Sequence, residues 1–165
     1  PESYYDKPLT KTLFAQLNFD IADNGDFYVS FEADSLMYRY DLDYNQLVCF
    51  GFAGRDMDLN YLRWDSYDQP WKERLAERMS RGFYNAVEYV DETGLLFRSY
   101  RKGGGSVTDG LQVYRDGVLV GDVDVPLGFR MAGYVAPYYY SYVVPDEEGE
   151  RLYMFRFKWP SAPEE

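Results

Sequence analysis

The sequence has 165 residues, of which 46% are hydrophobic and 19% aromatic. A chain of this length can bury about 70% of its unfolded surface, and a core so rich in rings suits a pleated sheet better than a helix. The formal net charge of −11 repels phosphate backbones and anionic membrane surfaces. We therefore expect a β-rich domain with no nucleic-acid partner.

The residue types that carry most catalytic and metal chemistry are scarce. The chain has no His, which excludes the Ser-His-Asp and Cys-His triads and the common zinc sites. Cys49 is the single cysteine, so no intrachain disulfide can form, and its strand-like context predicts a small buried thiol rather than a nucleophile. The sequence thus predicts no catalytic residue, no metal site and no cofactor.

Short apolar runs separated by polar turns begin at Phe19. The turn Asp23-Asn-Gly-Asp26 precedes Phe27-Tyr-Val-Ser-Phe31, which is a β-hairpin signal because Asn-Gly readily supplies positive φ. Two more apolar runs, at 36–40 and 46–52, follow across further tight turns. Four short strands in succession predict one antiparallel meander, which is the size of a propeller blade.

A turn within this meander has part of the pattern of a calcium loop. Asp41, Asp43 and Asn45 alternate like the first three ligands of an EF-hand. However, Gln46 stands where the sharp-turn Gly should be and Phe52 where the bidentate Glu should be. We interpret these residues as a hairpin turn.

The spacing of apolar residues changes in the middle of the chain. Trp71, Leu75 and Met79 recur at helical spacing, and Pro70 stands near a first turn, where its missing N–H is harmless. The pattern predicts one short amphipathic helix inserted near 69–81. We expect its apolar side chains to pack against the sheets, with a partner-binding helix as the alternative.

Strand signals resume after the helix and continue almost to the end of the chain. Asp116-Gly117 lies between two apolar runs and is the strongest short hairpin signal in the sequence. Taken together, the pattern predicts an all-β fold, in which antiparallel four-stranded meanders stack as about three propeller-like blades over 19–159. A lead-in segment at 1–18 and a tail at 160–165 flank the blades.

Two stretches resemble the blades of a known family. They are Ile21-Ala-Asp-Asn-Gly-Asp-Phe-Tyr-Val-Ser30 with Ser35-Leu-Met-Tyr-Arg-Tyr-Asp41, and the run from Leu95 through Gly121-Asp-Val-Asp-Val-Pro126 to Lys158. Both look like blades of the six-bladed β-propeller lipoproteins of Bacteroides-type bacteria, the second like the closing blades of an uncharacterised group. The resemblance implies a location in the bacterial cell envelope, at the periplasm or outer surface. It also implies membrane attachment only through a lipid anchor outside this chain.

The chain is too short for six blades. About three blades are the most it can hold, and an open stack leaves sheet edges unpaired, which favours association. We therefore expect either the C-terminal portion of a longer propeller, whose N-terminal blades precede Pro1, or a chain that self-associates.

An aromatic run provides the candidate binding residues. Strand alternation places Tyr138 and Tyr140 on one face and Tyr139 on the other. Tyr rings stack on sugars and peptides at low entropic cost, so we predict ligand binding at Tyr138 and Tyr140, and also at Trp64. Packing between blades is the alternative interpretation.

The predicted function is a non-catalytic, propeller-type binding or interaction module of the bacterial cell envelope, with a glycan or a protein as ligand. The alternative is a fragment of a glycan-processing enzyme that uses carboxylates. Two convergent carboxylates, or three arginines, in one pocket would favour the enzyme.

Overall fold

The computed structural model describes residues 16–62, 68, 70–146 and 148–160. Within these ranges the chain forms β-strands and one α-helix, which confirms the predicted all-β fold with a single short helix. In chain order the elements are β1 (Leu17–Ile21), β2 (Phe27–Phe31), β3 (Met37–Tyr40), β4 (Gln46–Phe50), α1 (Trp71–Arg81), β5 (Phe83–Val90), β6 (Leu95–Arg101), β7 (Thr108–Arg115), β8 (Val118–Pro126), β9 (Met131–Val135), β10 (Tyr138–Ser141), β11 (Val144–Asp146), β12 (Arg151–Tyr153) and β13 (Arg156–Phe157).

The strands pair into successive antiparallel sheets. The first sheet has the order β1-β2-β3-β4 and the second the order β5-β6-β7-β8, so both are four-stranded meanders, as predicted. The third sheet has the order β13-β10-β9, and β11 and β12 form a separate hairpin between β10 and β13. Within the described residues, the third sheet is therefore one strand short of the other two.

Local turn chemistry closes the hairpins where the sequence predicts them. Asp116 and Gly117 have φ values of 50° and 78°, and a two-residue type I′ turn requires positive φ at both positions. The Asp41 carboxylate accepts hydrogen bonds from the backbone N–H groups of Asp43 (2.9 Å) and Asn45 (2.8 Å). Asp41 thus stabilises a hairpin turn, in line with our interpretation of this segment.

The second sheet is the buried centre of the stack. One of its faces packs on the first sheet through residues that include Val87, Leu96 and Tyr114. Its other face packs on the third sheet, where Phe97 and Val113 contribute. Consecutive residues of β6 therefore enter opposite cores, and its first six residues are all buried. The three stacked sheets are compatible with propeller-like blades.

The helix is confirmed, but its predicted orientation is wrong. It extends over Trp71–Arg81, close to the predicted 69–81, of which residue 69 lies outside the described part of the chain. Trp71, Leu75 and Met79 do not pack against the sheets, since they are 67%, 42% and 38% exposed.

The polar side of the helix faces the sheets instead. Arg78 forms an ion pair with Glu32, whose side chain is 1% exposed, and Arg81 forms one with Asp58. A buried carboxylate needs a charged or hydrogen-bonding partner, and Arg78 supplies one to Glu32. This requirement determines which side of the helix faces the sheets.

Two further expectations concern the first sheet. Cys49 is exposed, so the prediction of a buried thiol is wrong. It lies on β4, whose first four residues are all exposed at the edge of the sheet. β1 begins at Leu17, inside the predicted lead-in segment 1–18, whose residues 1–15 lie outside the described part of the chain. Residues 161–165 of the predicted tail lie outside it as well.

Within the part of the chain that the structure describes, no helix has the length and apolar character that crossing a bilayer requires.

Candidate functional site

A cavity of about 270 Å³ lies where the first strands of the three sheets come together. β5 contacts β1 on one side and β9 on the other, so each sheet contributes to this junction. We call it the junction cavity. Its lining residues are Gln16, Leu17, Asn18, Phe19, Asn85, Ala86, Val87, Glu88, Arg130, Met131 and Tyr142.

Two β-bulges border the junction cavity. The register of β5 on β6 passes from Tyr84↔Tyr100 to Ala86↔Ser99, which leaves Asn85 as the extra residue. The register of β10 on β9 also shifts, between Tyr140 and Ser141. A bulge re-aims side chains and is common beside functional sites. Here the first bulge directs Asn85 to the cavity lining.

Asn85 has an unused hydrogen-bond acceptor. Its side-chain oxygen Oδ1 is buried and accepts no hydrogen bond from any residue that the structure describes. A buried polar atom without a partner costs about 1–3 kcal/mol. Because this oxygen has almost no accessible surface, it could accept a hydrogen bond from a hydroxyl group in the junction cavity only after the Asn85 side chain turns toward it.

Glu88 is the carboxyl group that lines the cavity. Burial, and secondarily the nearby negative charge of Asp20, raises the pKa of Glu88 to about 7. The Asp20 carboxylate itself accepts a hydrogen bond from the Tyr89 N–H at 2.7 Å. Close to neutral pH, Glu88 therefore exists in both protonation states and can donate or accept a hydrogen bond.

Glycine at position 133 leaves room beside the Glu88 carboxyl. A methyl group added at Gly133 would lie 3.6 Å from Glu88 Oε1. A larger side chain would therefore compete with any molecule bound beside Glu88.

Arg130 and Tyr142 form the other wall of the cavity. The Arg130 guanidinium carbon lies 5.4 Å from the centroid of the Tyr142 ring, and the Tyr142 N–H donates to the Arg130 carbonyl at 2.8 Å. Tyr142 is 51% exposed, so much of its ring remains accessible. The wall thus offers an aromatic surface beside a fork of N–H donors.

The raised pKa of Glu88 predicts an unusual dependence of stability on pH. Glu88 binds its proton more tightly in the folded chain (pKa about 7) than at its ordinary value of 4.5, so stability falls as pH rises between these values. We expect Glu88→Gln to be more stable than the parent chain near pH 8, by about 1–3 kcal/mol, and equal to it near pH 4.

Thermal unfolding over this pH range measures the effect. The matched control is Glu92→Gln, because Glu92 is exposed in the turn that follows β5. Parallel pH profiles for the parent and Glu88→Gln would contradict the assignment.

The predicted aromatic residues lie elsewhere. Tyr138 and Tyr140 share one face of β10, and Tyr139 is 4% exposed on the other, so the predicted alternation is confirmed. Neither Tyr138 nor Tyr140 lines the junction cavity. The Arg156 guanidinium carbon and Lys158 Nζ lie 4.6 and 5.1 Å from the centroid of the Tyr138 ring. Trp64 lies outside the described residues.

The charged residues of the cavity bear on the enzyme alternative. Of the residues that line it, Glu88 is the one carboxylate and Arg130 the one arginine. Asp20 is close enough to affect Glu88, but it is engaged by the Tyr89 N–H. The described residues also contain no group of three or more side chains that could hold a metal ion. A glycan-processing enzyme of this kind needs two free carboxylates, and the lining of this cavity supplies one.

The sequence contains one signal for this site. Asn85 and Glu88 interrupt the otherwise apolar strand Phe83–Val90. A polar residue inside a strand that is buried on both faces needs a partner, a bulge or a ligand. This signal identifies Asn85 and Glu88 on β5, but it does not show that β1 and β9 complete the site.

Comparisons with known proteins found no match, so the function is inferred from the geometry of the site. No family model, no curated protein and no solved structure matches the chain.

Proposed function

We propose that this chain is a non-catalytic glycan-binding module and that one sugar unit of the glycan occupies the junction cavity. The observation that carries the proposal is the set of side chains that three sheets bring to the cavity. It combines amide groups, one carboxyl, one guanidinium and one exposed aromatic ring. Sugar hydroxyls both donate and accept hydrogen bonds, whereas the C–H face of a sugar ring packs on aromatic carbon.

The amide groups supply hydrogen bonds in both directions. Asn85 Oδ1 is a buried acceptor without a partner among the described residues. Gln16 Nε2 and Asn18 Nδ2 are engaged only at 3.5 and 3.4 Å, by Asn18 Oδ1 and the Tyr84 carbonyl. Hydrogen bonds at this end of the distance range are weak, so both amides can turn to a sugar hydroxyl at small cost.

The volume of the cavity limits the size of the bound group. Pockets for drug-sized ligands have volumes of about 300–1,000 Å³, and the junction cavity has about 270 Å³. It therefore suits a single sugar unit, with the rest of the glycan extending over the surface. The exposed Tyr142 ring is positioned to stack on that unit.

The resemblance to the β-propeller lipoproteins adds a place of action to the proposal, which is the bacterial cell envelope. In a propeller of that kind, the junction cavity would correspond to the region where blades meet around the propeller axis. The glycan-processing enzyme remains the alternative within the same ligand class.

A glycan-array screen followed by calorimetry tests the proposal. We expect Tyr142→Ala and Asn85→Ala each to weaken the binding of the best glycan by at least about tenfold, which is 1.4 kcal/mol. Tyr138→Ala and Tyr140→Ala are the matched controls, because they remove the same type of ring outside the cavity. These controls should bind like the parent chain.

Two outcomes would contradict this assignment. Loss of binding in Tyr138→Ala, with Tyr142→Ala unaffected, would move the site to the outer face of β10. An array without any specific glycan would remove glycan binding altogether.

A further inference from the structure

The third sheet ends at a free strand edge. Ser141 N–H donates to the Phe155 carbonyl at 2.9 Å, and Phe157 stands opposite Tyr139. Because hydrogen-bonded positions alternate along an antiparallel strand, the backbone groups of Arg156 point away from β10. Lys158 follows one residue past the end of β13, where continued alternation gives it the same direction. No strand described by the structure pairs with that side of β13. In the first two sheets the equivalent position holds β4 and β8.

An apolar cleft lies beside this free edge. It has a volume of about 370 Å³ and separates β8 of the second sheet from the segment that contains β13. Its apolar lining residues are Leu111, Val123, Val125, Pro126, Phe129, Phe155, Phe157, Trp159 and Pro160. A strand hydrogen-bonded to β13 would lie about 4.8 Å from it and would place alternate side chains in this cleft.

The segment that contains β13 also carries two cations, Arg156 and Lys158, which line the cleft together with its apolar residues. Arg156 and Lys158 are exposed and form no ion pair with any residue that the structure describes. Side chains of an added strand would stand about 4.5–5.5 Å from them, at cross-strand positions. Both cations lie over the Tyr138 ring. In a chain of net charge −11, two cations without a carboxylate partner among the described residues favour acidic residues at those positions.

The second sheet contains a strand with the required pattern. β8 is its fourth strand and includes Gly121-Asp-Val-Asp-Val-Pro126. Val123, Asp124 and Val125 line the cleft, and the Asp124 carboxylate pairs with Arg55 and Lys102. Apolar and acidic residues in alternation thus already serve as a fourth strand in this fold.

From these observations we propose that the free edge of β13 binds an extended segment of a partner protein, which adds as the fourth strand of the third sheet. Main-chain hydrogen bonds to Arg156 and Lys158 supply affinity, as in other cases of β-augmentation. Apolar residues of the segment enter the cleft, and its acidic residues stand beside the two cations. This surface is separate from the junction cavity, so it is independent of the glycan proposal.

A fluorescent peptide with the β8 sequence Gly-Asp-Val-Asp-Val-Pro is the probe, and Gly-Lys-Val-Lys-Val-Pro is its matched control. We expect saturable binding of the acidic peptide to the full chain and at least about tenfold weaker binding of the basic one. In the double variant Arg156→Glu, Lys158→Glu the preference should reverse. Both replaced side chains are exposed, so thermal unfolding should confirm that the variant folds like the parent.

Three results would overturn the proposal. The first is that neither peptide binds. The second is equal binding of both peptides to the parent and to the charge-reversed variant. The third is hydrogen exchange in which the Arg156 and Lys158 amides are protected in the free chain. Protection at all concentrations would assign the edge to another segment of this chain, and protection only at high concentration would assign it to a second copy.

Discussion

Replacement of Arg98 by Met is expected to lower the free energy of unfolding by about 3–5 kcal/mol, because several buried neutral acceptors lose a charged donor. Arg98 lies on β6 and is fully buried. Its guanidinium donates to Ser30 Oγ at 2.8 Å and to the Ser35 carbonyl at 2.8 Å. The carbonyls of Phe31, Asp34 and Leu36 complete the set of acceptors.

These contacts join two sheets through a single side chain. The acceptors belong to the end of β2 and to the turn before β3, in the first sheet, whereas Arg98 belongs to the second. Its guanidinium carbon also lies 3.2 Å from the centroid of the Tyr84 ring. Burial lowers the pKa of Arg98, although the negative charge of Asp34 opposes this effect. Met fills similar space but donates no hydrogen bond, so it would leave several carbonyls buried without a donor.

Urea unfolding of the parent and of Arg98→Met measures this loss. Arg151→Met is the matched control, because Arg151 is exposed on β12 and its replacement should change stability by less than about 0.5 kcal/mol. If Arg98→Met is as stable as the parent, then the cost of desolvating the guanidinium equals what its hydrogen bonds contribute. Such a balance has been found for other buried charge networks.

The strands were predictable from the sequence because hairpins are local. Asp116-Gly117 and the turn at Asp41 fix their conformations with their own backbone and side chains. The burial of β6 on both faces was not predictable in the same way. Leu95–Arg101 contains charged and apolar residues together, and its burial depends on sheets formed by distant parts of the chain.

The helix shows how a long-range contact can reverse a local expectation. Trp71, Leu75 and Met79 give the regular stripe from which packing is normally inferred. However, Glu32 is buried and pairs with Arg78, which is 46 positions away in the sequence. The pairing turns the polar side of the helix toward the sheets, and no pattern within 69–81 indicates the position of Glu32.

The candidate site was predictable only in part. Alternation on β10 correctly placed Tyr138 and Tyr140 on one face, because that relation is local to one strand. The junction cavity, by contrast, requires Asn18, Glu88 and Arg130, which come from three different parts of the chain. Residue type drew attention to tyrosines, whereas tertiary structure determines which polar residues converge.

Replacement of Gly110 by Ala is expected to cost about 3 kcal/mol of unfolding free energy, in the range for overpacked cores. Gly110 stands opposite Tyr100 in the pairing of β6 and β7. A Cβ at position 110 would lie 1.9 Å from Tyr100 Cζ. Gly110 is not among the residues with positive φ, so the aromatic ring, rather than the backbone conformation, is what opposes a side chain there.

The Tyr100 ring has little freedom to move away. It is fully buried, and its hydroxyl donates to Asp122 Oδ1 at 2.7 Å. A Cβ added at Gly54 would also lie 2.7 Å from Tyr100 Cε2, so the ring is closely confined on a second side. Displacement of the ring would therefore break a buried hydrogen bond as well as its packing.

A double-mutant cycle with Tyr100→Ala separates this clash from other effects of Ala. Tyr100→Ala alone should cost about 3–5 kcal/mol, as expected when a buried aromatic ring is removed. In that background Gly110→Ala should cost less than about 1 kcal/mol, which gives a coupling energy of about 2 kcal/mol or more. Additive effects would show that the cost of Gly110→Ala does not arise from the Tyr100 ring, which would contradict the clash as its cause.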